Sequence, residues 1–207
     1  MRAKPASQQR SQDKRDRILS AMDALLTKQS LAAIGVAELA RKARVSPATI
    51  YQRFSNVDAT ASVLMELYYV KVEEWAKRPR KPPRKPLTLL ETLHAIAADA
   101  WDQVEALGHI MRPAYLYSRQ RPDRVGPEWT RLEKLAQAGF KAFLQQHAAE
   151  IRVENVEAAA SVICGLFNLQ LLGPLLHGEE ARYRSLGREE FAGTLATFAW
   201  RYLAFPK

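Results

Sequence analysis

Residues 45–54, VSPATIYQRF, gather side chains whose chemistry suits nucleotides better than catalysis. Thr49 can meet a thymine methyl or donate to a base edge, Gln52 can pair with adenine, and Arg53 can pair with guanine or a phosphate. Tyr51 has the reach for a phosphate oxygen. Ala48 is small enough to let a helix approach a groove wall closely. An ordinary solvent-facing helix would carry Glu and Lys pairs at these positions instead.

Catalytic and metal-binding patterns are weak by comparison. His94, His109, His147 and His177 show no HExxH spacing, and His147 with Glu150 reads as a surface pair. The single cysteine, Cys164, lies among apolar residues with no partner motif, so it reads as an inert buried thiol. No GxSxG, P-loop or GxGxxG is present. The expectation is a protein without catalytic residues, metal or cofactor.

The elements that must present the 45–54 residues follow from apolar spacing. Ile18, Ala21, Met22 and Leu25 form one helical stripe, predicting a helix from Asp13 to about Thr27. Leu31 and Ile34 in the connection can still reach a core. Val36, Leu39, Ala40 and Ala43 mark a second helix with Gly35 as N-cap and Glu38 near its positive end. The third helix opens at Ser46-Pro47, where serine caps and proline gives up an amide that had no partner. Pro47, Ile50 and Phe54 are expected to face inward, turning Ala48, Thr49, Gln52 and Arg53 outward. Two short helices around a tight turn, the second offering polar groups, make a helix-turn-helix.

Asn56 is expected to cap a fourth helix running to about Lys77. It ends in 77–86, KRPRKPPRKP, where prolines stop it. That segment reads as a solvated linker in preference to a second nucleic-acid patch. Five helical patterns follow, at about 88–106, 109–118, 127–149, 154–177 and 188–204, with no alternating strand pattern. The fold class expected is all-α. The chain divides into a flexible basic arm at 1–12, a helix-turn-helix domain at 13–56 and a helical domain at 57–207. Arg2, Lys4, Arg10, Lys14 and Arg15 could reach along phosphates, or the arm could simply be disordered.

Charge placement agrees with this division. The net charge of +9 favours an anionic partner, and residues 1–60 hold 11 Lys/Arg against 5 Asp/Glu, whereas the chain beyond 86 is nearly neutral. One cysteine excludes an intrachain disulfide and fits a reducing compartment, so a cytoplasmic location is expected, and the resemblance given below implies a bacterial one. The N-terminus has no apolar segment of a secretory signal. The apolar run from Val162 to Leu176 is interrupted by Asn168, Gln170 and Gly173-Pro174, and reads as a buried helix, with no membrane partner.

Two residue sets in the C-terminal part invite a role. Trp101, Met111, Tyr115, Trp129, Phe140, Phe143 and Phe167 could together line an apolar pocket, with His94, Gln103, Tyr115 and Asn168 as orienting polar groups, although core packing is the readier account of any single one. Pro113 is expected to break its helix, and the arginines around it read as a solvated loop sooner than an anion site. Ala158, Ala159, Ser161, Val162, Gly165, Leu169 and Leu172, followed by Leu195, Phe198 and Tyr202, combine small and apolar residues suited to a helix-helix seam between subunits, although an intrachain core helix explains each of them equally well.

Residues 17–26 (RILSAMDALL), 35–56 (GVAELARKARVSPATIYQRFSN) and Asp58 resemble the DNA-binding domain of the TetR family of bacterial transcriptional regulators. The resemblance covers about residues 15–64; the rest matches in length and helical character. It implies a homodimer on a near-palindromic double-stranded operator, DNA contacts from Arg44, Ser46, Pro47, Ala48, Thr49, Tyr51, Gln52 and Arg53, a small-molecule effector in a C-terminal cavity, and a four-helix dimer seam. Three positions depart from the family pattern: Arg44 stands where glycine is usual, Gly35 where a Ser/Thr cap is usual, and Val57 where lysine is usual. Arg44, Arg41 and the N-terminal arm are the candidate substitutes for the missing backbone contacts. The rival readings are an effector-independent architectural or nonspecific DNA-binding protein, and an all-α small-molecule carrier or enzyme.

Overall fold

The computed structural model describes residues 6–54, 58–177 and 187–205. Its elements in chain order are α1 (Ala6–Leu26), a 3-10 turn (Leu31–Ala33), α2 (Val36–Ala43), α3 (Pro47–Arg53), α4 (Ala59–Lys77), α5 (Leu89–Gln120), α6 (Pro122–Gln146), a second 3-10 turn (Ala148–Glu150), α7 (Val156–His177) and α8 (Arg188–Ala204). No strand occurs among the described residues, and the fold is all-α with an N-terminal helix-turn-helix.

The chain forms two compact units. The first comprises residues 1–77 and 109–126, the second 78–108 and 127–207. The expected boundary at 56/57 is therefore not where the units divide: α4 and the last part of α5 belong with the helix-turn-helix. The arm expected at 1–12 also differs, because α1 is already helical from Ala6. The reason is local. Gln9 donates to Asp13 at 3.0 Å and Gln12 to Asp16 at 3.4 Å, both one turn apart, and no breaker lies between Ala6 and Leu26.

In the first unit, α1 packs on α2 and α4, and α2 on α3. Ile18, Met22, Leu39, Ile50, Leu64 and Leu67 are almost completely buried there, each worth about 1.5–3 kcal/mol of transfer free energy. Arg15 pairs with Glu66, tying α1 to α4, and Asp23 faces both His109 at 2.8 Å and Lys71 at 3.6 Å. The end of α5 is fixed to the residue that precedes α4: the Tyr117 hydroxyl and the Arg121 guanidinium each donate to Asp58 at 3.3 Å. Asn56, the expected cap, lies outside the described residues, as does Val57.

The two helices expected at 88–106 and 109–118 are one. Pro113 sits inside α5 without ending it. Proline removes one amide from the ladder and crowds the carbonyl one turn back, but Ile110 and Ala114 on either side are buried, and their packing holds the helix together. The arginine-rich segment read as a loop is thus mostly helix. Likewise α6 starts at Pro122 and contains Pro127.

In the second unit, Leu89, Leu93, Phe140, Leu144, Ile163, Phe167, Phe191, Leu195 and Leu203 form the core. A capping box opens α5: the Thr88 hydroxyl accepts from the Glu91 amide at 3.2 Å and the Glu91 carboxylate accepts from the Thr88 amide at 2.8 Å. Those bonds, with Lys85, hold the Glu91 carboxyl below its ordinary value. Asn155 caps α7 through the Ala158 amide at 2.9 Å. The basic segment 77–86 is drawn back onto this unit, since Arg78 and Arg80 both pair with Asp99.

The buried-helix expectation for α7 holds on one face only. Ala159, Ala160, Ile163 and Phe167 are buried, while Val162 and Leu169 lie in the open. By length and composition alone α7 is apolar enough to cross a membrane, but its inner face is that of a core helix packed on α8.

Candidate nucleic-acid interface

The turn that sets α3 is closed by Arg44. Its backbone is left-handed, φ 55° and ψ 47°, and its amide bonds back to the carbonyls of Ala40 and Arg41. Val45 donates to the Ala40 carbonyl at 3.0 Å. This pair of bonds is the Schellman arrangement that ends a helix, usually with glycine at the left-handed position. Arg44 is the one non-glycine residue at positive φ among the described residues. Arg17 from α1 donates to the Arg44 carbonyl at 3.4 Å, bracing the turn from outside.

Ser46 then caps α3. Its hydroxyl accepts the Thr49 amide at 3.3 Å and shares a second bond with the Thr49 hydroxyl at 3.0 Å. Pro47 occupies the first helical position as expected, but it is exposed, so it does not belong to the inward set. The α3 helix is only two turns long, and Ile50 alone on it, with Phe54 just beyond, carries the packing. Proline at the first position lies on the rim of that contact.

The rest of α3 faces out. Ala48, Gln52 and Arg53 are exposed, Tyr51 is 43% exposed and Thr49 is half-buried. Arg53 donates from Nη1 to the Ser11 hydroxyl at 2.9 Å. Arg10, Lys14, Arg41, Lys42 and Arg44 are exposed on the same unit, adding positive charge around a helix that carries no acidic residue. The geometry meets the requirement for entering a major groove: a short, capped helix with small and hydrogen-bonding groups on its free side.

Sequence reasoning missed Ser11, because residues 1–12 were read as an arm. The paired Gln9–Asp13 and Gln12–Asp16 spacings were the available signal. Arg2 and Lys4 lie outside the described residues.

The aromatic set proposed for a ligand is not brought together. Met111 and Tyr115 are half-buried in the first unit, and the other five lie in the second. Trp101 packs on Phe191 with ring centroids 5.0 Å apart, and Phe140 meets Phe143 at 5.3 Å and Phe167 at 6.4 Å. These rings build the core. Asn168 is exposed, so it orients nothing inside the core. The second unit does carry two open grooves. One, of about 640 Å³, is lined by Pro127, Thr130, Arg131, Lys134, Leu135 and Ala138. The other, of about 310 Å³, is lined by Leu90, Glu91, His94, Gly193, Ala196 and Thr197. Of the residues expected at a pocket, His94 lines the second groove, and none of the aromatic set lines either.

The seam residues fare differently. Ala158, Ser161, Val162 and Leu169 are exposed on α7, with Gly165 and Leu172 half-buried between them; Phe198 and Tyr202 are exposed on α8. Leu169 is 67% and Phe198 64% exposed, unusual for residues of that size. Ala159 and Leu195 are the exceptions, both buried in the subunit's own core. Leu195 lies three residues before Phe198, on the flank of α8 that meets α7. Phe205, which the sequence reading did not include, is also exposed.

Groups with catalytic potential are engaged elsewhere. His147 bonds Glu150 at 3.1 Å and Thr92 at 3.3 Å, and the Glu150 carboxylate also accepts the Leu89 amide. The pair is therefore a structural joint, more enclosed than a surface pair. Burial pushes the Cys164 thiol up to about 11. Among the described residues no three His, Cys, Asp or Glu side chains are grouped to hold a metal.

A helix-turn-helix with a buried Ile50–Phe54 side and a polar outer side, on an otherwise helical chain, defines the class as a helix-turn-helix DNA-binding regulator. Residues 18–59 match the family model described as "Bacterial regulatory proteins, tetR family". The match covers the helix-turn-helix, which is therefore a TetR-family DNA-binding domain. Searching curated proteins gives no match. Among solved structures, the fold is similar to native NalD of Pseudomonas aeruginosa, "the secondary repressor of MexAB-OprM multidrug efflux pump", at 14% identity and TM-score 0.57, covering 95% of this chain and 100% of that one. It is also similar to a TetR transcriptional regulator from Rhodococcus sp. RHA1, at 14% identity and TM-score 0.59 over 98% and 99% of the two chains. A TetR family regulator from Pseudomonas syringae pv. tomato DC3000 follows at 17% identity and TM-score 0.56, over 91% and 93%.

Proposed function

We propose that this regulator is a homodimeric bacterial repressor, acting in the cytoplasm, that grips a near-palindromic operator and releases it when a small-molecule effector binds the second unit. The observation that carries the DNA half is the outer side of α3, where Thr49, Tyr51, Gln52 and Arg53 stand clear of a core held by Ile50 and Phe54. Two such helices, one per subunit, would enter successive major grooves about one helical turn apart.

The dimer half is supported by the exposed apolar face of α7 and α8. Val162, Leu169, Phe198, Tyr202 and Phe205 would leave water together on pairing with a second copy. Repression is favoured by likeness of fold to NalD, described as a repressor. An effector can release DNA only by binding one conformation of the dimer better than another, and the operator must then weaken effector binding by the same factor.

Selection from a random duplex library tests the reading. The expected product is a motif of two inverted half-sites about one turn apart, bound by two subunits, with affinity falling log-linearly as salt rises. Enrichment of no motif, with binding intact, would replace it by the effector-independent DNA-binding protein. That second reading is favoured by one observation: Trp101, Phe140, Phe143 and Phe167 are packed in the core and line neither groove.

A further inference from the structure

The outward residues of α3 are not equally available to bases, and their hydrogen bonds divide them. Arg53 at the end of the helix is held by Ser11: its Nη1 donates to the serine hydroxyl at 2.9 Å, across 42 residues of sequence. That bond draws the guanidinium toward α1, on which Arg10 and Lys14, one and three residues from Ser11, are exposed. Thr49 has its Oγ1 3.0 Å from Ser46 Oγ, in a bond that either hydroxyl can donate, so part of its polar capacity is spent on the cap while its methyl is not. Gln52 is exposed, and among the described residues no hydrogen-bond partner holds its amide.

We propose that Arg53 is a phosphate clamp aimed by Ser11, while base identity is read by the Gln52 amide together with the Thr49 methyl. The assignment rests on the DNA-binding reading above and resolves what the sequence left open, whether Arg53 addresses guanine or phosphate. Ser11 is a positioning residue that acts through Arg53. The operator half-site then contains an adenine facing Gln52 with a thymine methyl beside it, because a side-chain amide pairs with adenine N6 and N7 and a methyl packs on a methyl. A guanine is not required opposite Arg53.

The test uses the full chain, the duplex selected by the wild type, and the variants Arg53→Ala, Arg53→Lys, Ser11→Ala, Ser11→Thr and Gln52→Ala. Arg53 and Ser11 are exposed, so these chains should fold; thermal melting checks this. Binding is measured against salt and against every single-base change of one half-site. Arg53→Ala should weaken all sequences alike and lower the salt slope by about 2 per dimer, one phosphate in each subunit. Arg53→Lys should keep the base preferences and most of the slope, since a phosphate accepts a point charge whereas guanine needs the fork. Ser11→Ala should weaken binding about two- to tenfold with preferences unchanged, and Ser11→Thr, which keeps the hydroxyl, should restore it. Gln52→Ala should flatten preference at one base pair per half-site by about tenfold or more.

Loss of a guanine preference in Arg53→Ala, with an unchanged salt slope, would overturn the clamp. So would Ser11→Ala binding like wild type. A wild-type chain that binds no duplex would refute the DNA-binding reading itself, and that result is visible before any variant is compared.

Discussion

Replacing Arg44 with glycine separates two effects that the native residue combines. At φ 55° and ψ 47° its Cβ crowds the following carbonyl, which destabilises the fold by about 1–2 kcal/mol. Glycine removes that strain but gives back about 0.5–1 kcal/mol through the greater freedom of the unfolded chain. The bonds that define the turn are all backbone on the Arg44 side: its amide to Ala40 and Arg41, and its carbonyl to Arg17, so each survives the change. The net expectation for Arg44→Gly is a gain of about 0.5–1 kcal/mol, or a rise of about 1–4 °C in Tm for a chain of this length. The exposed cation is lost at the same time. If it meets a phosphate, binding weakens and the salt slope falls by about 2 per dimer. Arg44→Ala is the control: it removes the charge and keeps the strain, so binding should fall with Tm nearly unchanged. Circular dichroism melts and fluorescence anisotropy over a salt series supply both readouts. A lower Tm in Arg44→Gly would refute the strain argument, and undiminished DNA binding would refute the phosphate role.

Three other outcomes follow from burial. Ile50 is fully buried at the base of α3, so Ile50→Ala should destabilise the first unit by about 2–5 kcal/mol and abolish operator binding in warm solution, as read by urea denaturation beside gel shift. Val162→Asp combined with Phe198→Asp should convert a dimer into a folded monomer in sedimentation, since both side chains are exposed in the subunit and their replacement leaves its core intact. Cys164, with its thiol pushed up to about 11, should alkylate far more slowly than a free cysteine at pH 8. Its rate should climb as pH rises toward that value, because only the thiolate reacts; rapid labelling at pH 7 would contradict the assigned burial.

The helix-turn-helix was legible because its signals are local. A serine cap before proline, an isoleucine and a phenylalanine four residues apart, and two polar groups between them fix one short helix and its outer side whatever surrounds it. The turn at Arg44 stood out only through the family resemblance, which puts glycine there, and its left-handed backbone came from the structure. Legibility failed where tertiary packing overrides local preference. Pro113 looks like a break, but burial of Ile110 and Ala114 carries α5 through it. α7 is apolar nearly all round, so periodicity could not say that Phe167 turns in while Leu169 turns out. Leu195 and Phe198 look alike in composition and lie on opposite fates of one helix for the same reason. The aromatic set failed as a pocket because core and cavity linings use the same residues, and only packing distinguishes them.

The central claim, that the outer side of α3 distinguishes one DNA sequence from another, is tested most directly by the paired replacement Tyr51→Ala and Gln52→Ala. The measurement is the ratio of affinities for the selected duplex and a scrambled one, taken on dimers verified by sedimentation. The account predicts that this ratio falls by about tenfold or more, through the loss of the Gln52 amide, while the dimer and its salt-sensitive binding persist. A ratio equal to that of the native chain would contradict it.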